Sequence, residues 1–211
     1  MMIGTDVILE KIFDAIVGET LHGALERLMA NRMAIAREEI LAQLKKGKHW
    51  AISDDDAAAA TFTYLRAAQE GVARENLRMI AEALVNGAQE ATFAPDEFRR
   101  HANTLANLSR DETILLAEFI RVHRAYAASD QVIAPENYSA VIWASISQTS
   151  FPPGFDFVAT AGALSRTGWV VPQSGFGGIT YCTSATFDAV SRLVDFEAAA
   201  SQSAEDGKTG Q

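Results

Sequence analysis

Few residues in this chain have the type and spacing that chemistry requires. Its four histidines, His22, His49, His101 and His123, stand far apart, with no HxxxH, HxH or HxxE pair to set two metal ligands on one helix face. Glu19 precedes His22 by three residues, the spacing of carboxylate-bridged metal sites in helical bundles, but such sites need a second copy and the chain has none. Asp54, Asp55 and Asp56 are adjacent, so on a helix they diverge, and no glycine or glutamate follows in calcium-loop register; three carboxylates in a first turn suit the positive end of the helix dipole instead. Cys182 falls on an expected strand with no helix N-terminus in reach to lower its pKa, which makes it a packing residue. The run Gly175-Phe176-Gly177-Gly178 leads from one strand into another, whereas a loop that cradles phosphate leads from a strand into a helix. It reads as a hairpin tip. No GxSxG elbow is present, and no catalytic residue, metal ligand or cofactor site is assigned.

What remains is suited to contact. Arg99-Arg100-His101 and Arg121-Val122-His123-Arg124 are compact basic groups, and on adjacent helices Arg99, Arg100, Arg121 and Arg124 would form one patch able to hold a phosphate or an acidic partner. Acids at helical spacings around them favour surface ion pairs. Trp169 and Phe176 are the candidate aromatic contacts. Across 211 residues, 18 basic against 27 acidic side chains give a net charge of −9, the wrong overall sign for a protein whose main partner is a polyanion. One cysteine excludes a disulfide framework, and 48% apolar residues suffice for a core. The N-terminus lacks a basic region and continuous apolar segment, and no run of about 18 apolar residues occurs, so a cytoplasmic protein away from membranes is expected.

The elements that must position these residues are mostly helices. Apolar residues recur at helical spacing from Asp6 to about Leu44, with Gly18 and Gly23 as weak points and the basic run Lys45, Lys46, Lys48 in the last turn. Ser53 caps a second long helix whose face runs Phe62, Leu65, Val72, Leu77, Ile80 and Leu84, with Asn86-Gly87 as the stop. A shorter helix opens at Pro95, and Ser109-Arg110-Asp111-Glu112 is a capping box for a helix reaching Ala127. Helices follow from Pro135 to Gln148 and from Phe155 to Arg166, the latter presenting Phe157, Val158, Ala161 and Leu164 before Gly168. Strands Trp169–Val171 and Ile179–Cys182 form a hairpin, and Ser184 opens a last helix reaching Phe196. The polar tail has little to bury and is expected to be disordered.

Helix, helix, helix and hairpin is the element order of a winged helix, whose third helix usually reads the DNA major groove. Between Ala125 and Phe196, however, the only basic residues are Arg166 and Arg192, too few to neutralise several phosphates. A winged helix used for protein contact or dimerisation fits better.

The stretch Asn76-Leu77-Arg78-Met79-Ile80-Ala81, through Phe98, to Leu108-Ser109-Arg110-Asp111-Glu112, Leu115 and Leu116, then Leu164-Ser165-Arg166-Thr167-Gly168, Tyr181-Cys182-Thr183 and Phe187, resembles the layout of the bacterial abortive-infection alpha proteins. In that family a helical region precedes a helix ending in leucine-x-x-x-glycine and a strand pair closing on tyrosine-x-threonine. The resemblance implies phage or prophage association and supplies no catalytic residue.

The expectation is therefore a mainly α protein: a long N-terminal helical hairpin or bundle over 1–107, a winged-helix-like region with one small β-hairpin over 108–197, and a disordered tail over 198–211. Its expected role is non-enzymatic protein interaction or assembly, as a homo-oligomer or with a protein partner. The rival is a DNA-binding transcriptional regulator of winged-helix type, and the third reading an enzyme assembled around His101 and His123.

Overall fold

The computed structural model describes residues 24–45, 50–90, 93–129, 135–149, 151–175 and 178–206. The start of the first expected helix, with Gly18, Glu19, His22 and Gly23, lies outside them, as do Lys46, Lys48, His49 and Phe176. The protein is mainly helical with one two-stranded antiparallel sheet. It divides into two compact units, Met1–Asn107 and Leu108–Gln211. Among the described residues no helix is long and apolar enough to cross a membrane.

In the first unit, helices α1 (Ala24–Leu44), α2 (Asp54–Glu70), α3 (Arg74–Gly87) and α4 (Pro95–Ala106) pack around Ile40, Tyr64, Leu65, Ile80, Leu84 and Leu105. Ser53 caps α2 by accepting from Asp56 N, and Asp54 to Asp56 fill its first turn. The single long helix expected from Ser53 to Leu84 is broken. Gly71 takes φ +86°, its N–H donates to Ala68 O and that of Val72 to Ala67 O, which closes the C-terminus of α2. The Arg32 guanidinium occupies the place a Cβ at Gly71 would need, 2.6 Å away, and donates to Gln69 O. Phe62, expected in the core, is 59% exposed, because α2 buries an alanine-rich face: Ala57, Ala60, Ala67 and Ala68 beside Tyr64 and Leu65.

Between α1 and α3 lies a buried carboxylate. Glu39 accepts from Arg74 Nε at 2.6 Å and Arg78 Nε at 3.0 Å. Burial opposes its ionisation, but the two arginines outweigh this and hold its pKa below the ordinary glutamate value. Tyr64, fully buried, donates to Ala36 O, and burial pushes its phenol well above the usual range.

In the second unit, α5 (Arg110–Ala127) starts at the anticipated capping box, with both reciprocal bonds of Ser109 and Glu112 present. Helices α6 (Pro135–Ser147) and α7 (Phe157–Leu164) follow, then a 3-10 turn, Ser165–Thr167, closed by Gly168 at φ +70°. Strands β1 (Val170–Gly175) and β2 (Gly178–Thr183) pair with Val170 opposite Thr183 and Pro172 opposite Tyr181. Ser184 N donates to Trp169 O, so the pairs Val171–Cys182 and Gln173–Thr180 carry the ladder bonds and Pro172 falls in a non-hydrogen-bonded pair, where its missing N–H costs nothing.

The C-terminal end departs from expectation. Helix α8 (Ala185–Val190) stops early, and a separate helix α9 (Phe196–Asp206) packs on α5, with Asp195 accepting from Ala198 N. Residues 198–206 are thus helical, and 207–211 lie outside the described residues. Phe196 anchors α9 in the core, its ring 6.1 Å from Trp169 and 5.5 Å from Phe187.

Candidate interaction surface

Helix α7 is the third helix before the hairpin, the place that the DNA-reading helix has in the element order of a winged helix. Asp156 caps it by accepting from Ala159 N, and its inner face buries Thr160, Ala161 and Leu164. Its outer face consists of Val158, Ala159, Gly162 and Ala163, all exposed. Val158, expected in the core, is 60% exposed. None of these four side chains carries a charge or a hydrogen-bonding group, so α7 itself offers nothing there to read a base edge or grip a phosphate.

A run of aromatic rings adjoins it. Phe155 stacks on Phe151 at 4.3 Å, Phe151 lies 5.7 Å from Phe157, Phe157 stacks on Trp143 of α6 at 4.2 Å, and Trp143 meets Tyr181 of β2 at 4.9 Å. All five are half-buried. The Tyr181 hydroxyl reaches the α7 face, 3.5 Å from where a Cβ on Gly162 would stand. Ile179, on the same side of β2 as Tyr181, is 61% exposed.

The residues singled out in sequence fare differently. Trp169 is 1% exposed: it is a core residue and offers no contact surface, because β1 begins at the base of the hairpin and turns it onto Phe187 and Phe196. Phe176 lies outside the described residues. Arg99 and Arg100 are on α4 of the first unit, Arg121 and Arg124 on α5 of the second. Arg99 pairs with Asp96 at 3.1 Å, Arg121 with Glu118 at 2.6 Å and Arg124 with Glu197 at 2.6 Å; Arg100 is exposed. Arg99 also lines a groove of about 650 Å³ between α2 and α4, with Phe62, Arg66 and Asn103.

Arg166, one of the two basic residues between Ala125 and Phe196, is turned back onto Glu112. It donates through Nη1 to one carboxylate oxygen and, at 3.0 Å, through Nη2 to the other. Burial opposes ionisation of Glu112, but Arg166 and the Ser109 bonds outweigh it and hold its pKa down.

The two histidines of the enzyme reading belong to different units. His101 is buried on α4, its Nε2 3.6 Å from Glu97; burial lowers its pKa more than Glu97 raises it. His123 binds two hydroxyls, Tyr138 at Nδ1 and Thr183 at Nε2. Among the described residues no three His, Cys, Asp or Glu side chains converge to hold a metal. Cys182 is half-buried, its Sγ 3.8 Å from Val171 O.

The outer face of α7 escaped the sequence reading, although a signal exists: seven of the eight residues Phe157–Leu164 are apolar or glycine, leaving no polar face for solvent. Comparison with protein-family models, with curated proteins and with solved structures returned no match.

Proposed function

We propose that this chain is a non-enzymatic interaction and assembly protein, and that its first partner is a second copy of itself docked through the outer face of α7. The observation that carries this reading is the uncharged face Val158, Ala159, Gly162 and Ala163, continuous with a half-buried aromatic row. Small residues let a facing helix approach closely, and a face without charge is self-complementary about a two-fold axis. Arg166 lends no cation to it, since its guanidinium is committed to Glu112.

Sedimentation of the full chain tests this. The expected result is a dimer that Val158→Asp shifts toward monomer without loss of helix content. A monomer persisting to about 100 µM, weaker than almost any specific assembly, refutes self-docking.

DNA binding is the rival, favoured by the element order of the second unit. Salt-sensitive binding of labelled duplex in an anisotropy titration would establish it in place of the assembly reading. Phage association rests on the family resemblance alone, and plaque counts on host cells with and without the gene test it.

A further inference from the structure

The four described helices of the first unit leave a groove of about 650 Å³ between α2 and α4. Ala67 and Ala102 are buried at its base, and Phe62 stands 59% exposed beside them. Arg66 and Arg99, on opposite walls, are each held by a carboxylate of their own helix, Glu70 and Asp96. The residues that α2 gives to the groove, from Ala59 through Phe62, Thr63 and Arg66 to Glu70, follow the spacing of one helix face, as do Arg99, Ala102, Asn103 and Ala106 of α4. Two helices that turn such faces to one trough form a seat for the apolar side of a third.

The chain itself supplies a matching sequence. Residues 1–23 lie outside the described residues; in their sequence Ile8, Ile12 and Ile16 are spaced one helical turn apart with Leu9 and Phe13 beside them, while Glu10, Lys11 and Asp14 fall on the other side. Two hydrogen bonds fix where this segment joins. Arg32 of α1 donates to Gln69 O near the end of α2, and Tyr64 of α2 donates to Ala36 O, so α1 runs antiparallel to α2. The Arg32 guanidinium stands against Gly71, which lines one end of the groove; Ala106 lies toward the same end, since Asn76 at the start of α3 donates to its carbonyl. From Arg32 back to Ala24, α1 rises about 12 Å, beyond the end of α2, and Leu28 there is 45% exposed. The segment therefore joins on the Gly71 side of the groove. Gly18 and Gly23 are the points at which the sequence lets the chain turn. Residues 18–23 can span up to about 20 Å, and residues 6–17 as a helix would cover about 18 Å, the rise of α2 from Ala59 to Gly71.

We propose that this groove is the seat of residues 6–17 of the same chain, folded back at Gly18–Gly23 with Ile8, Ile12 and Ile16 turned into it. The segment then withholds the groove from any other helix. A straight continuation of α1 would instead carry the isoleucines past the end of α2 and hand them to a second copy. The seat does not rest on self-docking through α7, which belongs to the other unit.

Thiol alkylation of the full-length chain tests the seat, with Cys182, the single cysteine, changed to Ser and Asn103, exposed on the α4 wall, changed to Cys. With the native segment, iodoacetamide should react at position 103 about tenfold more slowly than after Ile8→Asp, Ile12→Asp and Ile16→Asp together, and at the same slow rate at about 1 µM and about 50 µM chain. Leucine at the same three positions should keep the protection. Val85→Cys, a reporter at a buried position of α3, should stay unreactive in the native and aspartate chains alike, which separates an emptied groove from an unfolded unit. Equal rates at position 103 in the native and aspartate chains overturn the seat. Protection that grows with concentration also overturns it, because the segment then covers a second copy. Val158→Asp should leave the protection unchanged, so a failure of the seat and a failure of self-docking are told apart.

Discussion

Removing the Glu112–Arg166 clasp tests whether a long-range ion pair beside α7 supports the fold. Glu112 is 4% exposed and does two jobs: it accepts from Ser109 N at 2.8 Å and holds both Nη atoms of Arg166, whose side chain is 48% exposed. Glu112→Ala loses half of the capping box, about 0.5–1 kcal/mol, and a charge-assisted pair of about 1.5–3 kcal/mol, the latter discounted because Arg166 can turn into water. The sum is roughly 2 kcal/mol. Arg166→Ala leaves the cap intact but strands a buried carboxylate, so its cost is also about 2 kcal/mol, arising from the charge left behind. The double variant should cost less than the two singles added, by about 1 kcal/mol or more. Urea unfolding in a Trp50→Phe background reads the second unit alone, since Trp143 and Trp169 both lie in it; each single change should lower the midpoint by about 1 M. The pH dependence has a fixed sign. Arg166 and Ser109 hold the folded-state pKa of Glu112 below its unfolded value, so this stabilisation is complete above the unfolded carboxyl pKa and is lost as pH falls through the folded one. Arg166→Ala should therefore weaken the acid-side slope. Strict additivity, or an Arg166→Ala cost under about 0.5 kcal/mol, would refute the reasoning.

Three further changes probe the first unit, each measured by the urea dependence of hydrogen exchange in peptides of that unit. Gly71→Ala should destabilise by about 1–2 kcal/mol, because φ is +86° and the new Cβ would meet the Arg32 guanidinium. Glu39→Gln should cost about 1–2 kcal/mol and flatten the loss of stability at acid pH, since Arg74 and Arg78 hold the folded pKa of Glu39 below its unfolded value. Thr61→Val should cost nothing or stabilise by up to about 1 kcal/mol: Thr61 is fully buried and its hydroxyl has no hydrogen-bond partner among the described residues.

Local chemistry was legible in the sequence where it acts within one turn. Ser109 with Glu112, Ser53 with its three aspartates, Pro95 at a helix start and Gly168 at a helix end all do what their spacing implies. The pairs Asp96–Arg99 and Glu118–Arg121 follow the i, i+3 rule. Long-range partners were not legible: nothing local links Glu112 to Arg166 or Arg124 to Glu197. The break at Gly71 was hidden because apolar residues continue at helical spacing through Leu65, Val72 and Leu77, and periodicity does not register a left-handed residue between them. In α9, residues Phe196-Glu197-Ala198-Ala199-Ala200 are strong helix formers on average, and the polar composition beyond them concealed this.

Helix α7 shows why fold and function separate here. Periodicity cannot choose a buried face on a helix apolar on both sides, so Val158 was assigned to the core and the exposed face went unseen. The same composition dictates how that face can be recognised. Its association must be driven by removing apolar surface from water, at about 25 cal/mol per Å², and so should depend little on salt and carry a negative heat-capacity change. A protein gripping DNA through Z phosphates loses affinity with a slope of about −0.9Z in log salt. Measuring self-association across a salt series therefore separates the two uses of this fold: Glu112 neutralises the charge of Arg166, and the residues at the outer face of α7 have no charge for salt to screen.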